Sequence, residues 1–207
     1  MNTQQAYNVW AATYDDVKNS TRDLEAQAIR AVIPQGRFAH IIELGCGTGK
    51  NTEWLAARAE RLTAVDFSPE MLAKAQLKAP ANVTFRQADI TQPWGFTGES
   101  ADLITCSLIL EHIADLGFVF NQAAQVLAPG GRLYVGELHP FKQYQGSKAR
   151  FETEAGMREL ECYVHHLTDY AQAARRCGLV VEDLREWFDE EERSGSPRIV
   201  TWVFREG

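Results

Sequence analysis

The residues best suited to chemistry are a glycine turn and two acids that follow it. Glycines alternate in Gly45-Cys46-Gly47-Thr48-Gly49. Glycine takes turns that a side chain would block, and it lets a ligand approach the main chain closely. Alone, the triplet would also suit a plain tight turn. It fits neither common phosphate fingerprint. GxGxxG needs a glycine where Lys50 stands, and GxxxxGK[ST] needs a hydroxyl where Asn51 stands. Asp66 ends the run Leu62-Thr63-Ala64-Val65-Asp66, 21 residues after Gly45. A carboxylate there can accept from both hydroxyls of a ribose. It could equally cap a helix, but Ser68 already offers a cap. Asp89, in Gln87-Ala88-Asp89-Ile90, could accept from an exocyclic amine of adenine or simply close a turn.

These residues need elements that bring them together. The first forty residues read as helical: Tyr7, Trp10, Ala11 and Tyr14 form a stripe, and a second helix spans about 22–32. A regular alternation follows. Strands are predicted at 40–44, 62–66, 83–86, 101–106 and 132–138, and helices at 50–61, 69–78, 115–127 and 168–177. Ser68 and Pro69 mark one helix start, and Asp115 could cap another. Pro129-Gly130-Gly131 is expected to end the helix begun at Asp115. Two last strands, 180–187 and 199–204, are joined by the polar loop 189–198 and should pair as an antiparallel hairpin. Strands alternating with helices predict an α/β fold: a doubly wound, Rossmann-like sheet of seven strands, mostly parallel, with one antiparallel strand in the C-terminal hairpin. Ligands bind such sheets at the carboxyl ends of the strands, where the glycine turn and Asp66 lie.

With the motifs placed, the chain resembles a known family. ELGCGTGKNTEWLA, VDFSPEMLAKA, QADI, ADLITCSLILEHI and LAPGGRLYVGE resemble, in order and spacing, the motifs of class I S-adenosylmethionine-dependent methyltransferases of the small-molecule type. The resemblance covers about residues 38–138. It implies that Gly45, Cys46 and Gly47 pass beside the methionine part of S-adenosylmethionine, and that Asp66 binds the ribose. Phe67 and Met71 would pack on adenine, whose edge would meet Asp89 and Ile90. Cys106 and Ser107 would lie near the sulfonium. His112, in the segment after the fourth strand, could be structural. Tyr7 and Tyr14, in a segment that closes over the cofactor in similar enzymes, would stand near its carboxylate end, Tyr14 on the cofactor and Tyr7 toward the acceptor. The product would be S-adenosylhomocysteine.

Leu133, Val135, Glu137 and His139 alternate onto one face of the fifth strand. That sets His139 beside the expected methyl position, as a general base or as a hydrogen-bonded turn histidine. A free imidazole titrates near pH 6.5, so such a residue can take a proton at neutral pH. Residues 139–166 make a long connection with Tyr144, Phe151, Tyr163, His165 and His166, and with several basic residues. They are expected to cap the acceptor pocket, Tyr163 and His165 touching the acceptor. The chain is thus expected to be one domain: a helical cap at 1–37, a cofactor core at 38–138, a substrate cap at 139–166, and a closing helix and hairpin at 167–207.

Composition narrows the partners. The 207 residues are 45% hydrophobic and 24% charged, ordinary for a globular chain. Net charge of −7 disfavours a broad nucleic-acid surface. The N-terminus has no basic start and apolar run, and no stretch approaches the roughly 18 apolar residues of a membrane span. Cys46, Cys106, Cys162 and Cys177 show no paired spacing, so they are read as reduced thiols of a cytoplasmic protein without a metal site. The expected function is methyl transfer to a small organic acceptor. The alternatives are a methyltransferase acting on protein or RNA, and a catalytically silent S-adenosylmethionine-binding protein. Sequence leaves the acceptor atom, the need for a base and the oligomeric state open.

Overall fold

The computed structural model describes residues 2–153, 156–189, 193 and 195–207, the side chains of 151–153 aside. Two helices come first, α1 (Thr3–Trp10) and α2 (Ser20–Val32). Asn2 opens α1 in a reciprocal capping box with Gln5. Then come β1 (Phe38–Leu44), α3 (Thr52–Ala56), β2 (Ala59–Asp66), α4 (Pro69–Gln76), β3 (Val83–Gln87) and β4 (Ala101–Ser107). A 3-10 turn (Leu110–His112), α5 (Leu116–Val126) and β5 (Leu127–Leu138) follow. The chain continues through α6 (Pro140–Tyr144), β6 (Arg150–Thr153), β7 (Gly156–Glu159), α7 (Leu167–Arg176), β8 (Leu179–Trp187) and β9 (Ile199–Glu206).

Seven strands form one sheet in the order β3-β2-β1-β4-β5-β9-β8, and β6 pairs with β7 separately. β1 to β5 are parallel, while β9 runs antiparallel to both its neighbours. This is the sheet expected from the alternation. Strand order reverses between β1 and β4, which creates the crevice at the carboxyl ends.

Both faces of the sheet are covered, so its central strands read as near-continuous apolar runs. Successive residues alternate between two cores. Ile42, Ile104, Leu133 and Trp202 face α5 and α7, while Ile41, Leu103, Tyr134 and Val203 face α2 and α3. Fully burying such side chains stabilises by roughly 1.5–3 kcal/mol each.

Three local expectations change. The helix expected at 50–61 keeps only Thr52–Ala56, and β2 starts at Ala59. Pairing decides this: Ala59 lies opposite Phe38, whose N–H donates to the Arg58 carbonyl at 2.8 Å. Pro129-Gly130-Gly131 does not end α5. The helix stops at Val126 and the three residues lie within β5, where the register with β4 shifts between Ala101 and Leu103. The stripe of α1 outlasts its helix: Tyr14 follows in a turn, with its ring 4.8 Å from Trp10 and 6.4 Å from Tyr7. Ser68 and Asp115 do cap α4 and α5, accepting from Met71 N–H and Phe118 N–H. Of the long connection and the polar loop, residues 154–155, 190–192 and 194 lie outside the described residues.

Candidate active site

The glycine turn leaves β1 with φ of +66° at Gly45 and +53° at Gly47, a region L side chains rarely adopt. A Cβ on Gly45 would stand 2.3 Å from Ile109 Cγ2, whereas one on Gly47 would meet nothing within 4 Å. The first glycine lets the loop after β4 close down. The second leaves the cleft open above the backbone, which is the cradle an approaching ligand needs.

Asp66 ties this turn to the next strand. It accepts from Gly47 N–H at 2.8 Å and Ser68 N–H at 2.9 Å, one on each carboxylate oxygen. Burial raises its pKa, and the backbone donors at Ser68 and Gly47 oppose that rise. Each oxygen keeps capacity to accept from a ligand hydroxyl.

One cleft gathers Tyr14, Gly45, Cys46, Gly47, Asp66 and Phe67 with Met71, Asp89, Ile90 and Ser107, and Tyr7 borders the same space. Asp89 binds its own turn, accepting from Thr91 N–H and Thr91 hydroxyl at 2.9 and 2.7 Å. Tyr7 stands 5.7 Å from Phe67, ring to ring. Burial pushes its phenol well up, helped by Tyr14, Glu111 and Asp66, so it remains a hydroxyl donor.

Three other predicted residues point elsewhere. His139 is 6% exposed and caps α6, its Nδ1 accepting from Phe141 N–H. Nε2 therefore carries the hydrogen, which it donates to Glu186 at 3.1 Å. Burial lowers its pKa, and the Glu186 partner partly restores it. The strand alternation holds through Glu137, but Pro140 then turns the chain and carries His139 toward β8, away from the cleft walls. His165 is buried, donating to the Ile113 carbonyl at 2.7 Å. Tyr163 holds Glu111 O with its backbone N–H at 2.7 Å, and its ring is absent from the cleft lining.

Sequence reading missed the acidic floor. Glu25, from α2, accepts from Ser107 hydroxyl at 2.6 Å, Asn51 at 3.1 Å and Tyr134 hydroxyl at 3.1 Å. Glu43 accepts from Thr52 at 2.6 Å, and burial, aided by Glu25 and Asp66, raises it to about 8. Arg22 was missed too. It lines the cleft and stacks on Tyr14 at 4.1 Å. Among the described residues its Nε is buried without a hydrogen-bond partner. Buried acids with Arg22 at the rim, beside a Lys50 that is paired with Asp23, suit a ligand that carries both positive charge and a carboxylate.

Comparison with known proteins agrees with this geometry. A family model described as a methyltransferase domain matches residues 42–135. The trans-aconitate 2-methyltransferase of Deinococcus radiodurans is 35% identical over 116 residues, 55% of this chain and 43% of that protein. The ubiquinone biosynthesis O-methyltransferase of Xanthomonas axonopodis pv. citri is 28% identical over 155 residues, 70% of this chain and 64% of that one. The chain spans less than two thirds of the length of these curated relatives. Among solved structures, the N-methyltransferase NodS from Bradyrhizobium japonicum WM9 in complex with S-adenosyl-L-homocysteine shares the fold. Its TM-score is 0.75 at 21% identity, covering 100% of this chain and 99% of that one. An S-adenosylmethionine dependent methyltransferase from Mesorhizobium loti gives 0.72 at 21% identity, covering 87% and 96%. The matched segment runs from β1 into β5, so the part of the chain that is similar to a methyltransferase domain is the part that carries the glycine turn, Asp66 and the end of β4.

Proposed function

We propose that the chain transfers the methyl group of S-adenosylmethionine to a small organic acceptor. One observation carries the reading: the open glycine turn, Asp66 and the acidic floor line a single cleft at the switch point of the sheet. The cofactor supplies an electrophilic methyl on a cationic sulfur. Gly45, Cys46 and Gly47 run along its methionine part, Asp66 accepts from the ribose diol, and Phe67 and Met71 flank adenine. Asp89 and Ile90 meet the adenine edge, Ser107 lies by the sulfonium, and Tyr14 and Arg22 hold the carboxylate end. Tyr7 faces the acceptor. Aligning acceptor, methyl and sulfur in a dry cleft can supply roughly 7–11 kcal/mol of the barrier. With His139 engaged to Glu186, alignment and exclusion of water carry this reading without a base at that position.

Residues 38–138 serve as the cofactor core, residues 1–37 as a helical cover, 139–166 as the acceptor cap, and 167–207 as the closing helix and hairpin. Net charge of −7 and relatives named for small-molecule methylation support a small acceptor. Among the described residues no helix is long and apolar enough to cross a membrane. Four free cysteines suit a reducing compartment such as the cytoplasm. Calorimetry with S-adenosylhomocysteine and with nicotinamide dinucleotide tests the cofactor, and tight binding of the dinucleotide alone would defeat the proposal. Methyl transfer measured across carboxylic acids, phenols and amines tests the acceptor class, and labelling of RNA or protein alone would overturn it.

A further inference from the structure

Glu111, His112 and Cys162 meet beside the acceptor end of the cleft. One ligand atom from each lies within 4.8 Å of the others. Cys162 Sγ is 3.9 Å from His112 Nδ1, and Glu111 Oε1 is 3.9 Å from His112 Nε2. Donor atoms on one tetrahedral zinc sit about 3.5 Å apart, given bonds of about 2.0–2.3 Å, so the three atoms would have to draw together and the thiol to swing from the Nδ1 side of the ring toward Nε2. The side chains of Glu111 and His112 are only 10% and 9% exposed, unlike an adventitious surface cluster.

The backbone holds the thiol in place from both sides. His112 Nδ1 donates to Glu161 O at 2.9 Å, and Tyr163 N–H donates to Glu111 O at 2.7 Å. Residues 161 and 163 are thus fixed to the turn that carries Glu111 and His112, and Cys162 between them is presented to it. With Nδ1 donating to a carbonyl, Nε2 carries the lone pair, which accepts from Tyr7 hydroxyl at 2.9 Å. A histidine oriented through one ring N–H to a backbone carbonyl has the arrangement of a metal ligand once the partner on its other nitrogen is displaced.

We propose that Glu111, His112 and Cys162 form a three-ligand site for a borderline divalent cation of the zinc class. Its fourth position opens toward Tyr7 and the cleft. The cation replaces Tyr7 hydroxyl at Nε2, and the thiol proton leaves to solvent. In sequence the cluster is hidden, because Cys162 lies 50 residues from His112.

The test uses the full chain stripped of metal, titrated with zinc against a competing chelator, and with cobalt(II) as an optical probe. The expected result is one equivalent bound, with a sulfur-to-cobalt charge-transfer band. That band should disappear in Cys162→Ser, and zinc affinity should fall at least tenfold in Cys162→Ser and in His112→Gln. No stoichiometric binding would overturn the proposal. So would binding that survives both variants, since it would use other residues. Circular dichroism and a cooperative melt on the same samples show that the variants are folded, and the S-adenosylhomocysteine affinity of Cys162→Ser reports separately on the methyltransferase reading.

Discussion

A carboxylate used twice by its own backbone still has lone pairs to spare, and Asp66 is in that position. Its two oxygens hold Gly47 N–H and Ser68 N–H, which fixes both the turn and the acid before any ligand arrives. Asp66→Ala should weaken S-adenosylhomocysteine binding by about 1.5–3 kcal/mol, the scale of hydrogen bonds to a charged group, while circular dichroism stays native. Unchanged calorimetric affinity in a folded variant would place the ribose elsewhere. Gly47→Val should bind more weakly still, because its side chain would strain φ at +53° and fill the open space above the turn. Wild-type affinity would reduce that glycine to a turn former. His139→Ala should behave oppositely. Losing the cap on α6 should cost about 0.5–2 kcal/mol, read as a lower melting temperature, with cofactor affinity within twofold of wild type. The glycine turn and Asp66 were legible because one strand-turn-strand spacing sets both. Glu25 was not, because its helix is dense in charge. A signal did exist: Glu25 shares a helix face with Ala28, Ile29 and Val32 at spacings of three, four and seven, and all of these are buried.

At the scale of elements, buried acids govern how the loop after β4 is held. Glu137, near the end of β5, accepts from Ile109 N–H at 3.0 Å and Leu110 N–H at 2.9 Å. Among the described residues its Oε2 is buried without a partner. Burial raises Glu137 to about 8, as it does Glu43. Both groups titrate near 4.5 when unfolded, so the folded chain holds more protons than the unfolded chain between those values. Stability present at the acid end of that window therefore declines as pH rises through about 8. The lowered carboxyls Asp23, Glu182 and Asp189 act with the opposite sign, below the window. The melting temperature should fall from pH 5.5 to 8.5, each kcal/mol being about 2–4 °C for a chain of this size. Glu137→Gln keeps an oxygen for Ile109 and Leu110 and should flatten that slope, and an equally steep slope would sink the assignment. Element types were readable from periodicity and caps, but boundaries moved where pairing outweighed local pattern, as at Ala59. Within residues 139–166, α6 and the paired strands β6 and β7 were hidden because short elements carry too few periods to read.

Across the whole molecule, the hydrophobic clusters divide the labour. The two large clusters flank the sheet, and α2 belongs to one of them through Ile29 and Val32, with Ile33 just past its end. A third, small cluster joins Ala6 and Trp10 of α1 to Leu160, just after β7, with Tyr7, Tyr14 and Cys162 packed against it. Sequence alternation revealed the sheet because nearly every strand contributes to it. It could not reveal this third cluster, whose members are separated by about 150 residues and meet only after folding. The N-terminal helix thus leans on the cleft and the cap more than on the sheet, and Gln4 adds a bond to Phe67 O at 2.6 Å. Deleting residues 2–12 should leave the sheet and α2 intact, since neither large cluster loses a member. The shortened chain should keep a single cooperative melt. Its affinity for S-adenosylhomocysteine should drop at least tenfold, about 1.4 kcal/mol, because Thr3 and Tyr7 leave the cleft wall. Tyr14 would stay, held by the Arg22 bond to its carbonyl at 2.8 Å. A deletion that binds as tightly as the full chain would make α1 a mere surface cover. Loss of the cooperative melt would instead mean that the third cluster stabilises the entire fold, and that the cofactor core is not separable from its lid.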